Sequence, residues 1–112
     1  MHELGITQEI VALVEEHARG RKVARVVLEI GRLSAVLPDA IRFCFDLCAE
    51  GTVADSAELE IIETSGLARC RSCGGEVPLE RPFGRCGCGC TDLEWLAGEE
   101  LRVKELELAG NG

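Results

Sequence analysis

Residues 70–90 decide how this chain folds: Cys70-Arg71-Ser72-Cys73-Gly74-Gly75 at one end, Cys86-Gly87-Cys88-Gly89-Cys90 at the other, and twelve residues between Cys73 and Cys86. The first motif sets two thiols one tight turn apart. The glycines behind them let the backbone bend, so that both sulfurs converge on one point while N–H groups support the thiolates. A second knuckle of the same kind completes a tetrahedral four-sulfur set, and soft thiolates in that number favour zinc. Because the second knuckle is spaced Cys-x-Cys, one of its three cysteines is left over. Cys86 with Cys88 is the preferred pair, since Gly89 then follows the last ligand as Gly74 follows Cys73. Cys90, in place of Cys86 or paired with it, is the alternative. A rubredoxin-type iron centre shares the same donors, and disulfides or free thiols are the remaining options. Four sulfurs leave no open position for substrate or water, so the site reads as structural.

Around these cysteines, from Thr64 to Leu96, apolar periodicity is absent and Gly, Cys, Pro and Arg prevail. Such a stretch cannot bury enough apolar surface to hold itself together and depends on its metal. Upstream the pattern is regular. Ile6, Ile10, Leu13, Val14 and His17 share one side of a helix expected over Leu4 to Arg19, with Gly20 where a helix ends. Ala24, Val26, Leu28 and Ile30 alternate with Val23, Arg25, Val27 and Glu29, the period of a strand with one face in a core. Pro38 opens a second helix whose stripe is Ile41, Cys44, Phe45 and Cys48, and Gly51 stops it. Cys44 and Cys48, four residues apart, read as core packing rather than a second metal pair. Ala57 to Ile62 is a second strand, buried through Leu59 and Ile61. Downstream, Leu101 to Leu108 is a last strand whose apolar parity flips between Val103 and Leu106, the mark of a bulge or of burial on both faces.

The order helix, strand, helix, strand, cysteine segment, strand makes the metal segment an insertion, with the last strand returning to the first sheet. The expected fold class is α+β: a small three-stranded sheet packed by two helices, with an inserted zinc-ribbon-like lobe. The domains are residues 1–63 with 98–112, and residues 64–97.

A chain of 112 residues, 46% hydrophobic with three Phe and one Trp, forms only a small core. No leader-like segment opens it and no run reaches the roughly 20 apolar residues that span a bilayer, so a cytosolic protein without a membrane role is expected. The net charge of −8 excludes a concentrated basic footprint: residues 1–63 carry six basic and twelve acidic side chains, and residues 64–96 carry four of each. Nucleic acid is not the expected partner.

The chain begins Met1-His2-Glu3, which places an α-amine, backbone amides, an imidazole and a carboxylate in one short span. Square-planar Ni(II) accepts such nitrogens in a plane, a geometry zinc does not prefer. Taken with Phe43-Cys44-Phe45, Cys70-x-x-Cys73-Gly74, the second knuckle and Gly98-Glu99-Glu100-Leu101, this start resembles the HypA family of hydrogenase nickel-incorporation proteins across nearly the whole chain. The resemblance implies a nickel metallochaperone rather than an enzyme. It implies a structural Zn(2+) in the cysteine lobe, and Ni(2+) carried near the amino terminus by His2 and Glu3. Asp39, in Leu37-Pro38-Asp39, matches an acidic position that contributes to nickel binding in some relatives. The shorter Cys-Pro-Cys-Gly-Ser form found in the family maps Cys86 and Cys88 onto zinc ligands, with Cys90 where a serine stands. As partners the resemblance implies the GTPase maturation factor HypB and the hydrogenase large-subunit precursor, and it allows a homodimer. The rival readings are a zinc-ribbon module for a protein or RNA, supported by Arg69, Arg71, Arg81 and Arg85, and a thiol oxidoreductase. The first lacks aromatics for stacking beyond Phe83 and Trp95; the second lacks the strand-to-helix setting that activates a thiol.

Overall fold

In a computed structural model, described for residues 2–110, the elements run α1 (His2–Ala18), β1 (Val23–Gly31), α2 (Pro38–Ala49), β2 (Glu58–Thr64), β3 (Gly66–Cys70), β4 (Glu76–Leu79), β5 (Leu93–Ala97) and β6 (Leu101–Leu108). The Met1 amine lies outside the described residues. The fold is α+β. The last strand returns to the first sheet, whose order is β2-β1-β6, while β4-β3-β5 form a second three-stranded sheet. That second sheet was invisible to periodicity, because its strands have four or five residues and alternate weakly.

The chain divides into two compact units, residues 1–28, 36–62 and 102–112 in one, residues 29–35 and 63–101 in the other. Residues 29–35, 63 and 98–101 group with the cysteine segment, whereas the sequence reading divides the chain at 63/64 and 97/98. Leu33 explains the first of these: it is 3% exposed and packs with Ala68 and Leu79, with Val77 and Leu93 against them.

In the first unit, α1 buries Thr7, Ile10, Val11, Val14 and Ala18, while Leu13 and His17 lie exposed. The buried stripe is therefore rotated from the expected Ile6-Ile10-Leu13-Val14-His17 face. Thr7 can point inward because its hydroxyl donates to the Glu3 carbonyl at 2.6 Å, leaving no unpaired polar group in the core. Helix α2 buries Ile41, Cys44 and Phe45 as its spacing predicts, but the last buried position is Ala49 rather than the expected Cys48, which is only half-buried, and Leu37 at its start lies open. Strand β1, central in its sheet, buries Val26 and Leu28 but also Val23 and Val27, and leaves Ala24 exposed. One face of the strand was expected in the core, and the structure covers both. Arg25 on this strand forms ion pairs with Glu60 and Glu107 on the two flanking strands. Leu59 and Ile61 are only half-buried because β2 is an edge strand. In β6, Lys104 and Glu105 are exposed in succession, so its burial pattern changes parity where the sequence does.

The second unit is assembled by close backbone approach. The Gly31 N–H donates to the Glu100 carbonyl at 2.6 Å, Leu33 N–H to Gly98 at 2.8 Å, and Arg32 N–H to Thr64 at 2.9 Å. A Cβ on Gly31 would sit 1.9 Å from the Gly98 oxygen, which is why only glycine fits there. Strand β3 pairs antiparallel with β4 through Gly66–Leu79 to Arg69–Glu76, and antiparallel with β5 through Cys70–Leu93. A register shift between Leu67 and Ala68 inserts one extra residue on β5.

Candidate metal centre

Strand β3 ends on Cys70, and the chain turns at once. The Gly74 N–H closes onto the Cys70 carbonyl at 2.9 Å, with Gly74 in the left-handed region at φ 78°, and the Cys70 N–H donates to Gly75 at 2.8 Å. This turn aims amides at sulfur: the N–H groups of Ser72 and Cys73 both lie 3.4 Å from Cys70 Sγ, and that of Gly75 lies 3.4 Å from Cys73 Sγ. The second knuckle repeats the device. Cys86 N–H donates to the Cys90 carbonyl at 2.9 Å, Gly89 N–H to the Cys86 carbonyl at 2.8 Å, and the Cys90 amide donates to Cys88 Sγ. Arg85 clamps the loop from outside through the Gly89 carbonyl at 3.0 Å.

The two knuckles bring Cys70, Cys73, Cys86 and Cys88 together, with all four sulfurs within 4.8 Å of one another. Cys70 faces Cys88 at 3.6 Å and Cys73 faces Cys86 at 3.6 Å. A Zn–S bond of about 2.3 Å places the sulfurs of a regular tetrahedron about 3.8 Å apart, so the donor set and its spacing fit that ion. Cys70 and Cys86 are buried, whereas Cys73 and Cys88 are exposed. Cys90 is not in the group; its sulfur turns to Asp92, whose N–H lies 3.4 Å away. Asp92 is also tied to Arg71, by an ion pair at 3.2 Å and by the Arg71 N–H at 3.1 Å, which joins one knuckle to the other. Sequence reasoning overlooked that brace, and opposite charges near the two knuckles were its only signal.

The amide donors divide the thiols electrostatically. The Cys73 N–H, against an opposing effect of burial and with help from Ser72, pulls the Cys70 thiol down to about 6. Cys73 feels the Gly75 N–H downward, yet hydrogen bonds with Cys86 and Cys70 carry it above the ordinary thiol value. Cys88 is likewise raised, the Cys90 amide being outweighed by Cys70, burial and Cys73. Four sulfurs this close share protons until a cation replaces them.

The other sequence candidates are not gathered. His2 and Glu3 open α1 with His2 Nε2 3.1 Å from Glu3 Oε2, and Asp39 is exposed in the first turn of α2. Among the described residues only the four cysteines bring three or more candidate ligand atoms together. Cys44 is buried at 2% exposure within the α2 stripe, and the Cys48 thiol is raised by burial and then by Cys44, which suits packing rather than ligation. Of the arginines near the cysteines, Arg71 pairs with Asp92 and Arg85 donates to the Gly89 carbonyl, both at the surface of the unit.

Two helices with a three-stranded sheet, and a second sheet ending in paired thiol knuckles, define a small α+β protein with a four-thiol cluster that could hold a metal ion. The family model described as hydrogenase/urease nickel incorporation, metallochaperone, HypA matches residues 1–108. The chain is 63% identical over 108 residues to the hydrogenase maturation factor HypA of Nostoc punctiforme, covering 96% of each chain. It is 50% identical over 109 residues to that of Geobacter sp. strain M21, covering 96% of this chain and 99% of the relative. Among solved structures it is similar to the solution structure of the Ni metallochaperone HypA from Helicobacter pylori, with TM-score 0.67, 28% identity, and 95% and 96% of the two chains covered. The chain belongs to the HypA family, whose model is described as a metallochaperone of hydrogenase and urease nickel incorporation and whose relatives are named hydrogenase maturation factors. Among the described residues no helix is long and apolar enough to cross a membrane.

Proposed function

We propose that this chain takes up Ni(II) at its amino terminus and hands it on during [NiFe]-hydrogenase maturation, while Cys70, Cys73, Cys86 and Cys88 hold a structural zinc ion. The observation that carries the reading is the start of α1. His2 presents a side chain 63% exposed, and the first-turn amides of His2 and Glu3 have no earlier turn to supply acceptors. Imidazole and amide nitrogens in one plane suit Ni(II), and a site made of few, exposed, partly backbone ligands can release as well as bind. Asp39 adds a carboxylate when the metal draws the terminus towards it. The four thiolates have the opposite character, since a tetrahedral sulfur set is closed and keeps its ion. The recipients in this reading are a HypB-type GTPase and the hydrogenase large-subunit precursor, in the cytoplasm.

The test is His2→Ala in zinc-loaded protein, titrated with Ni(II) by calorimetry. Nickel binding is lost while zinc content and the circular dichroism spectrum stay those of the parent. Unchanged nickel affinity refutes the amino-terminal site.

A further inference from the structure

Glu3 is an unusual neighbour for a metal-binding histidine. Its side chain is only 12% exposed although it belongs to the first turn of a helix, and its Oε2 lies 3.1 Å from His2 Nε2. A carboxylate removed from water to that extent needs a donor, and the imidazole N–H supplies one. Its backbone is pinned as well: Thr7, 0% exposed, donates its hydroxyl to the Glu3 carbonyl at 2.6 Å. The carboxylate is therefore held against one particular nitrogen of the ring.

Which nitrogen matters follows from covalent geometry. A metal bound to the His2 amide nitrogen closes a six-membered ring through Cα, Cβ, Cγ and Nδ1. Nε2 lies on the far side of the imidazole and cannot close it. The chelating nitrogen must also be bare, so the ring proton has to reside on Nε2, and a carboxylate on the outer nitrogen of a ligating histidine is the common way of placing it there. The geometry points to Glu3 as a positioning residue, whose carboxylate accepts the Nε2–H of His2 and leaves Nδ1 free to chelate Ni(II) together with the His2 amide. This rests on the amino-terminal nickel reading and refines it: the Glu3 side chain acts through His2 and not as a ligand. His17 provides an internal contrast, since its Nδ1 lies 2.9 Å from the Leu13 carbonyl, an acceptor only, and so carries the proton itself.

The test compares the parent with Glu3→Ala and Glu3→Gln, all zinc-loaded. Ring 15N shifts in nickel-free protein at a pH where both histidines are neutral should show His2 protonated at Nε2 and His17 at Nδ1. In Glu3→Ala the two His2 shifts should converge as the tautomers mix, and Ni(II) affinity by calorimetry should fall about 10- to 100-fold, the usual effect of losing such a partner. Glu3→Gln keeps an oxygen acceptor and should recover most of both, with thermal unfolding confirming that all three proteins are folded. Parental affinity or an unchanged His2 tautomer in Glu3→Ala overturns the proposal. So does a Glu3→Gln affinity as poor as that of Glu3→Ala, because it makes the carboxylate a direct ligand. If instead His2→Ala binds nickel as the parent does, it is the amino-terminal site itself that fails.

Discussion

Replacing the cysteines of the second knuckle one at a time separates the four-thiol assignment from its alternative. The structure places Cys86 and Cys88 with Cys70 and Cys73 and turns Cys90 towards Asp92. Structural zinc sites bind with about 10–16 kcal/mol near neutral pH, so an equal share for each of four sulfurs is about 2.5–4 kcal/mol, or roughly two to three decades in affinity. Cys86→Ser and Cys88→Ser should each weaken zinc by that amount, and Cys90→Ser should leave it within a few-fold of the parent. Competition against a chromophoric chelator measures the affinities. Cobalt substitution gives a second readout, because its sulfur charge-transfer intensity scales with the number of bound thiolates. A Cys90→Ser protein that loses zinc as readily as Cys88→Ser, or a Cys86→Ser protein that keeps it, would refute the assignment.

Removing the metal with a strong chelator should cost residues 63–101 their amide-exchange protection while α1 and α2 keep theirs, as read by exchange and mass spectrometry, because the apolar cluster of Leu33, Ala68 and Leu79 with its two flanking side chains is small. Gly31→Ala should lower the melting temperature sharply, since its Cβ would overlap the Gly98 carbonyl and backbone cannot swing aside as a side chain does. Phe45→Ala, at a fully buried position, should cost about 3–5 kcal/mol, whereas Phe43→Ala, 66% exposed on the same helix, should change stability by less than about 0.5 kcal/mol; urea titration distinguishes them. On acidification zinc should leave as protons compete for the sulfurs, favoured by the raised thiols of Cys73 and Cys88 and opposed by the lowered thiol of Cys70; zinc release against pH in the parent checks the direction.

How much of this was legible beforehand depended on length and on the kind of force involved. The helices, β1 and β6 carry enough alternating or helical pattern to be placed within a few residues, and β6 falls on the expected bounds. Helix α1 was found but turned, because Thr7 hides its hydroxyl on the Glu3 carbonyl and packs as if apolar, a property no hydropathy scale assigns to threonine. Strands β3, β4 and β5 escaped because they are too short to show a period and are defined by each other and by the knuckles. The grouping of residues 29–35 with the cysteine-bearing unit depends on Leu33 and on glycines that permit backbone contact, which is long-range information. The knuckle spacing was legible, since sulfur convergence is a local property; the exclusion of Cys90 needed the Asp92 amide.

A chain that carries one metal and keeps another must prevent the two from exchanging places, and affinity alone cannot do so: for a given set of nitrogen, oxygen or sulfur donors the divalent ions follow a fixed order. Geometry can. The second unit offers four sulfurs, each opposed to another across 3.6 Å and two of them buried, which is a tetrahedral frame already drawn before any ion enters. Amides directed at the sulfurs stabilise charge there without adding a ligand, so the frame has no vacant position through which a second ion could displace the first. The amino terminus offers the reverse: nitrogens of one residue and its neighbour, arranged along a helix start, exposed on the imidazole side, and of a kind that prefers a plane. A tetrahedral ion gains little from that plane, and a planar one gains little from the sulfur frame. In the proposed function the fold thus keeps its cargo apart from its own structural ion by coordination shape, and the lability needed for delivery is confined to the end of the chain whose ligands the core does not hold.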